Sequence, residues 1–304
     1  MSRLLVAVFL CLWTFTASAL AQRVPRGEGQ PPALQATQRV ALKPARVWDG
    51  SALEAHNDWI VVVRGELIET VGPSTEVKIP DDARIIELPG ATLLPGLIDA
   101  HTHVLLHPYD EAVWDDQVLK ESLALRVCRG TNHLRQILAS GFTTIRDLGT
   151  EGAGYADVGL KQAVAQGIVP GPRMIVVTRA IVATGSYAPK GFAPELHIPQ
   201  GAEEADGVDS LIRVVRDQIG RGADWIKVYA DTAMGGGGVR PSFSQEELSR
   251  IVDTARSLGV SVSAHATSKE GMRRAALAGV ATVEHGDGGD TEVFKLMADR
   301  GVAL

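Results

Sequence analysis

Beyond Gly90 the sequence repeats one rhythm, a short apolar stretch followed by a segment of helical spacing, and nothing else in it constrains the fold as strongly. Stretches at 93–99, 143–148, 173–178, 225–230, 260–264 and 280–284 read as strands. Segments at 117–139, 157–166, 208–219, 245–258, 269–277 and 292–299 read as the helices that follow them, and 301–304 reads as the opening of a seventh strand. Alternating β and α units imply an α/β fold with parallel strands and right-handed crossovers. An open doubly wound sheet and a (β/α)8 barrel both satisfy that rhythm, and periodicity alone does not choose between them.

The polar residues choose. His101 and His103 directly follow the first strand, Lys227 lies inside the fourth, His265 ends the fifth and His285 ends the sixth. Ligand-type residues at the C-terminal ends of several strands are the layout of a TIM-like barrel active site, whereas an open sheet would spread six strand ends across a wide face. On an extended segment residues i and i+2 point to one side, so His101 and His103 can reach one metal. With 8 histidines in the chain a His-x-His pair arises readily by chance; the shared strand-end position of all four is what points to metal. The period of two also puts Trp225, Lys227 and Tyr229 on one face. If that face lines a barrel, desolvation strongly disfavours a bare ammonium there. A lysine that loses its proton becomes a nucleophile or a site of modification.

The flanks carry other information. Residues 1–21 read as a signal peptide: Arg3, an apolar run over 4–13, then Ala19 and Ala21 at the cleavage positions. That run spans about 15–18 Å as helix, short of the roughly 30 Å hydrocarbon core, and no later stretch is long and apolar enough to cross a membrane. The expected product is exported, periplasmic or secreted, with no membrane attachment after cleavage. Residues 22–38, rich in Pro, Gly and Gln, read as a flexible linker. Residues 39–90 read as a small β unit: strands at 60–63 and 66–71 around an Arg64-Gly65 turn, and a strand at 84–88 ended by Pro89-Gly90. Such strands need a partner sheet, because an isolated hairpin group is marginal. Lys plus Arg total 30 against 36 Asp plus Glu, with no basic run, so no electrostatic footprint for nucleic acid exists. Two cysteines exclude a disulfide scaffold or a Cys-based zinc site. Cys128 reads as a small core residue, His56, His107, His133 and His197 as surface or capping residues, and residues 235–238 as an active-site loop. Gly152-x-Gly154 with Gly159 lacks the spacing of a dinucleotide fingerprint.

Four phrases in order resemble the amidohydrolase superfamily of metal-dependent hydrolases. They are Leu94-Pro95-Gly96-Leu97-Ile98-Asp99-Ala100-His101-Thr102-His103, Gly141-Phe142-Thr143-Thr144-Ile145-Arg146-Asp147, Gly222-Ala223-Asp224-Trp225-Ile226-Lys227-Val228 and Ala278-Gly279-Val280-Ala281-Thr282-Val283-Glu284-His285-Gly286. Over about residues 40–304 the sequence is similar to the imidazolonepropionase-related amidohydrolases and the exported Xaa-Pro dipeptidases. The resemblance implies an enzyme with a (β/α)8 barrel over 91–304 and a small β-sandwich domain to which 39–90 contributes. It implies two divalent metal ions, usually zinc, with His101 and His103 on the first, His265 and His285 on the second, and a carboxylated Lys227 bridging them. A hydroxide between the metals would attack an amide carbonyl, which makes Lys227, His265 and His285 the catalytic candidates. The substrate class implied is a small amide, dipeptide-like or N-acyl; opening of a cyclic amide, as in imidazolonepropionase or dihydroorotase relatives, is the alternative. Tyr187, in a loop where many relatives carry a histidine, and Tyr229 are the candidate substrate contacts. The family also takes an Asp from the end of strand eight, and this sequence stops at Leu304. The expectation is an incomplete barrel, from a longer enzyme or as an inactive fragment or pseudoenzyme. Asp99 and Asp147, at strand ends, read as orienting or structural. Homo-oligomerisation stays open.

Overall fold

The computed structural model describes residues 38–233 and 238–304. The expected signal peptide, the linker up to residue 37 and residues 235–237 of the expected active-site loop lie outside the described residues. Two compact units divide between Pro95 and Gly96.

The first unit holds β1 (Arg39–Val47), β2 (His56–Asn57), β3 (Trp59–Arg64), β4 (Leu67–Pro73) and β5 (Arg84–Leu93). β1 pairs antiparallel with β2 and β3, β3 antiparallel with β4, and β5 runs parallel to β1. Ala41, Ile60, Val62 and Val77 form its apolar cluster. These strands make one sheet, so the described residues hold one layer of the expected sandwich and do not show a second. The strand expected to stop at Pro89-Gly90 continues to Leu93. β5 pairs with β1 alone, so one edge needs no N–H from proline. Gly90 takes a positive φ of 77°, and the register shifts between Pro44 and Arg46.

The second unit, Gly96–Leu304, runs β6 (Leu97–Thr102), α1 (Trp114–Lys120), α2 (Leu123–Ala139), β7 (Phe142–Asp147), α3 (Ala156–Ala165), β8 (Arg173–Val176), β9 (Ile181–Val182), β10 (Glu203–Glu204), α4 (Val208–Gly220), β11 (Trp225–Tyr229), β12 (Asp231–Ala233), β13 (Val239–Pro241), α5 (Gln245–Ser257), β14 (Ser261–Ala266), α6 (Lys269–Ala278), β15 (Thr282–His285) and α7 (Thr291–Asp299). β6-β7-β8 form one parallel sheet and β10-β9-β11-β14-β15 another, with β12 and β13 as a separate antiparallel pair. Asp224 stitches the two parallel sheets together: its N–H donates to the Val176 carbonyl at 2.8 Å and its carboxylate accepts from Val176 N–H at 2.9 Å. Ala303 pairs in parallel with Thr282, where a seventh strand was expected to open. The chain is therefore mixed α/β with parallel strands, and eight-stranded closure is not present among the described residues.

The helices form because each carries one apolar stripe. In α4 Leu211, Val214, Val215 and Gln218 are buried at i, i+3, i+4 and i+7. In α5 Leu248, Ile251, Val252 and Ala255 do the same behind a capping box of Ser244 and Glu247. These stripes pack on Ile226, Val228, Val262, Ala264 and Val283 of the strands. The helix expected over 117–139 is two helices, broken at Glu121-Ser122, where the Ser122 hydroxyl caps Leu125 N–H. On α2 the buried stripe is Arg126, Gly130 and Leu134. Cys128 sits two residues off that stripe and is exposed, not a core residue.

Gly271, in the first turn of α6, is required by a close approach: a Cβ there would stand 2.2 Å from Asp231 Oδ2. Asp231 is fully buried and accepts from Thr267 N–H, Ser268 N–H and the Ser268 hydroxyl. Gly271→Ala is expected to lower stability by about 2 kcal/mol through overpacking, read as a lower denaturant midpoint; an unchanged midpoint would show that the junction yields freely.

Candidate metal and substrate site

Parallel pairing aligns the site residues. Tyr229 lies opposite His265, Lys227 opposite Ser263, His265 opposite Glu284 and Ala266 opposite His285. The consequence is a continuous row of rings. His103 meets His101 at 5.3 Å between centroids, His101 meets His285 at 5.0 Å, and His285 meets His265 at 4.6 Å. His265 stacks on Tyr229 at 4.5 Å and 15°, Tyr229 lies 4.7 Å from Tyr187, and Tyr187 lies 5.2 Å from Trp114. All seven residues singled out from the sequence thus fall in one place: His101, His103, His265, His285 and Tyr187 in this row with Tyr229, and Lys227 beside it.

Lys227 is 1% exposed, and its Nζ has no hydrogen-bond partner. Burial pushes its pKa down to about 8, with the Glu284 carboxylate opposing that shift. The nitrogen sits 5.7 Å from the Tyr229 ring centroid. Burial also favours the neutral form of His103, His265 and His285, the form that offers a lone pair. It lowers His265 to about 3, helped by the Lys227 charge, and it lowers His103 and His285. His103 Nδ1 contacts the Gly149 carbonyl at 3.0 Å, which fixes Nδ1 as the protonated nitrogen and leaves Nε2 with the lone pair. His101 Nδ1 lies 3.1 Å from Glu284 Oε2.

Glu284 was not expected from the sequence, nor were Arg146, Glu151 and Trp114. Glu284 Oε1 accepts from Arg146 at 2.7 Å, Ser263 at 2.7 Å and Thr282 at 2.6 Å. Burial opposes its ionisation, yet hydrogen bonds from His101, Thr282 and Ser263 and the nearby Lys227 charge hold it well below the usual carboxylate range. Strand alternation argues against finding Glu284 and His285 in one site, since adjacent residues point to opposite faces. His285 has a φ of +77°, which leaves the extended conformation and lets His101 meet both. Arg146 crosses from β7 to β15 and lies 4.8 Å over the Trp225 ring. Glu151, 3% exposed, is the acceptor for Trp114 and Tyr187.

Other candidates fall elsewhere. Asp147 accepts Val104 N–H and Asp99 accepts His101 N–H, which are orienting roles. His107, read as a surface or capping residue, is 7% exposed and places its two ring nitrogens 2.9 Å from Glu111 and Glu121. A doubly carboxylate-paired ring is what made its burial affordable. His133 contacts the Val104 carbonyl, His56 stacks on Trp59, and His197 is exposed.

The donor set suits divalent cations. It combines neutral imidazoles with a buried, unpartnered amine whose conversion to a carbamate would make it an anionic oxygen ligand. Among the described residues no three His, Cys, Asp or Glu side chains close on one point as a metal cage by themselves; the donors lie along the row instead, with Lys227 as the group that remains unsatisfied.

Residues 92–304 match the profile of the Amidohydrolase family. Ochratoxinase of Aspergillus niger is 32% identical over 69% of this chain and 46% of its own. Imidazolonepropionase of Micrococcus luteus is 23% identical over 75% of this chain and 56% of its own. A solved Xaa-Pro dipeptidase with methionine bound in its active site aligns with a TM-score of 0.78 at 28% identity, covering 88% of this chain and 66% of that one. The A. niger ochratoxinase structure aligns at 0.72 and 27% identity, over 88% and 65%. The chain spans about half the length of the curated relatives it matches. The strand-end histidines, the buried lysine and the profile that takes in all of them place this chain in the Amidohydrolase family.

Proposed function

We propose that this chain carries the metal-binding face of a barrel hydrolase that cleaves amide C–N bonds, with linear dipeptide-like or N-acyl substrates first. The observation that carries the reading is Lys227, a fully buried amine with no hydrogen-bond partner, whose charge acts on His103, His265 and His285. Family members generally bind divalent metals. His101, His103, His265 and His285 would hold two such ions, of which zinc is the one proposed, with Lys227 bridging as a carbamate formed from its neutral amine and carbon dioxide with release of one proton. When bound, the ions supply Lewis acidity toward the amide carbonyl and lower the pKa of the attacking water.

The chain's own residues do the rest. The Gly149 carbonyl fixes the His103 tautomer, and Glu284 sets the orientation of the His101 ring. Tyr187 and Tyr229 form the wall a substrate would meet beside His265. Export to the periplasm or medium belongs to the same reading, on the strength of residues 1–21, and fits a role on external peptides or amides. No helix among the described residues is long and apolar enough to cross a membrane.

The test is a substrate panel on the complete protein loaded with zinc: dipeptides including Xaa-Pro, N-acyl amino acids, and cyclic amides. Turnover of linear amides with close to two equivalents of bound metal is the expected result. Exclusive ring opening would replace the substrate class, and a protein that binds no metal would remove the reading.

A further inference from the structure

Glu151 stands outside the row of rings, bonded to Trp114 at one end of it and near His103 at the other. Its carboxylate Oε2 accepts from Trp114 Nε1 at 2.8 Å and from the Tyr187 hydroxyl at 2.8 Å, and its Oε1 lies 3.8 Å from His103 Nδ1. The Tyr187 hydroxyl in turn accepts from Tyr229 OH at 3.2 Å, and Tyr229 stacks on His265. One buried carboxylate therefore anchors an indole, a phenol and, through that phenol, the ring packed on a candidate metal ligand.

The backbone is built to deliver this acid. Glu151 has a φ of +50°, uncommon for a residue with a side chain, so its placement carries a local cost. Arg126, 2% exposed, spends its guanidinium on three carbonyls, those of Leu105, Thr150 and Glu151, which pins the loop in that conformation. Trp114 and Tyr187 also line a cavity of about 260 Å3 with Ser186, Lys190 and Thr232.

We propose that Glu151 is a positioning residue that holds Trp114 and Tyr187 as one wall of a substrate cavity and, through Tyr187, holds Tyr229 against His265. The proposal rests on the reading above that Tyr187 and Tyr229 contact substrate. Glu151 acts through these rings and not on the reacting bond. Its loss loosens substrate binding more than it slows chemistry.

The test compares wild type, Glu151→Gln, Tyr187→Phe and the double variant in the full-length, zinc-loaded protein, with glycyl-L-proline and N-acetyl-L-phenylalanine as probes. Glu151→Gln keeps the shape and removes the charge, so KM should rise about tenfold, the effect of one charge-assisted hydrogen bond, with kcat within about threefold. The double variant should be no worse than the poorer single, because both changes act on the same link, weakened in Glu151→Gln and removed in Tyr187→Phe. Additive effects, or a fall in kcat at unchanged KM, would overturn the proposal. A readout independent of hydrolysis is the 15N-indole resonance of Trp114, identified by its loss in Trp114→Phe. It should move in Glu151→Gln, and a stationary resonance would show that the carboxylate does not hold the indole. Should neither probe be cleaved, the proposed activity fails, and probe binding read by tryptophan fluorescence decides the role of Glu151. Equal Kd in wild type and Glu151→Gln overturns it, as does absence of binding to wild type.

Discussion

Lys227→Met in the complete protein is expected to abolish the proposed amide hydrolysis and, in the metal-free chain, to raise stability. The two signs come from one fact: the Lys227 amine is 1% exposed and unpartnered. Its pKa falls from 10.5 in the unfolded chain to about 8 in the folded one because burial disfavours the ammonium. Above pH 10.5 both states are neutral there, and folding loses nothing. As pH falls from 10.5 to 8 the unfolded chain takes up a proton that the folded chain refuses, so stability drops across that window. The full penalty, about 3 kcal/mol, persists below pH 8. Methionine has similar length and no proton to gain, so the metal-free variant should be more stable than wild type at pH 7 by up to that amount, with the difference vanishing above pH 10.5. Activity should fall by at least the roughly 100-fold that loss of a mere outer-sphere metal partner brings, with bound metal falling in parallel. Denaturation of the metal-free chains from pH 7 to 11, beside turnover and metal content of the loaded ones, checks both signs. A variant that keeps full activity would remove Lys227 from the site; one that is less stable at pH 7 would show the amine is partnered in solution.

The second large effect concerns Arg146. Its guanidinium donates to Glu284 at 2.7 Å, to the Thr282 hydroxyl at 3.3 Å and to the Ala100 carbonyl at 2.8 Å, and both ends of the ion pair are about nine-tenths buried. It joins β7 to β15 across the interior. Arg146→Met leaves Glu284 charged in a dry setting, and removing one partner of a buried pair costs about 3–5 kcal/mol. The low end is expected, because His101, Ser263 and Thr282 still meet the carboxylate. Adding Glu284→Gln should recover part of that loss, since the stranded charge goes with it. Urea denaturation of both variants measures this. A cost under about 1 kcal/mol, or no recovery in the double variant, would mean that the pair does not hold these strands together.

The metal-type residues were legible because strand-end histidines and a lysine in an apolar strand break the local pattern, and a broken pattern is visible in a sequence. The partners that orient them were not. Glu284 lies next to His285, and alternation assigns adjacent residues to opposite faces; only the positive φ of His285 brings them together. Glu151 lies in a glycine-containing loop where nothing distinguishes a buried acid from a solvated one. Helix boundaries slipped for a similar reason: the break at Ser122 rests on a cap, and Cys128 is exposed because the buried stripe of α2 passes through Arg126, Gly130 and Leu134.

The sequence by itself determined the alternation of strands and helices, the parallel sheets and the residue types that make up the candidate site, because hydrophobic period and residue type are local properties of the chain. Only the tertiary structure decided that His103, His101, His285, His265, Tyr229, Tyr187 and Trp114 form one row with Lys227 orphaned beside it. It also decided that Glu151, Glu284 and Arg146 hold that row. Register between strands distant in sequence, and the burial of charges that follows from it, depend on every packed element at once and leave no local mark.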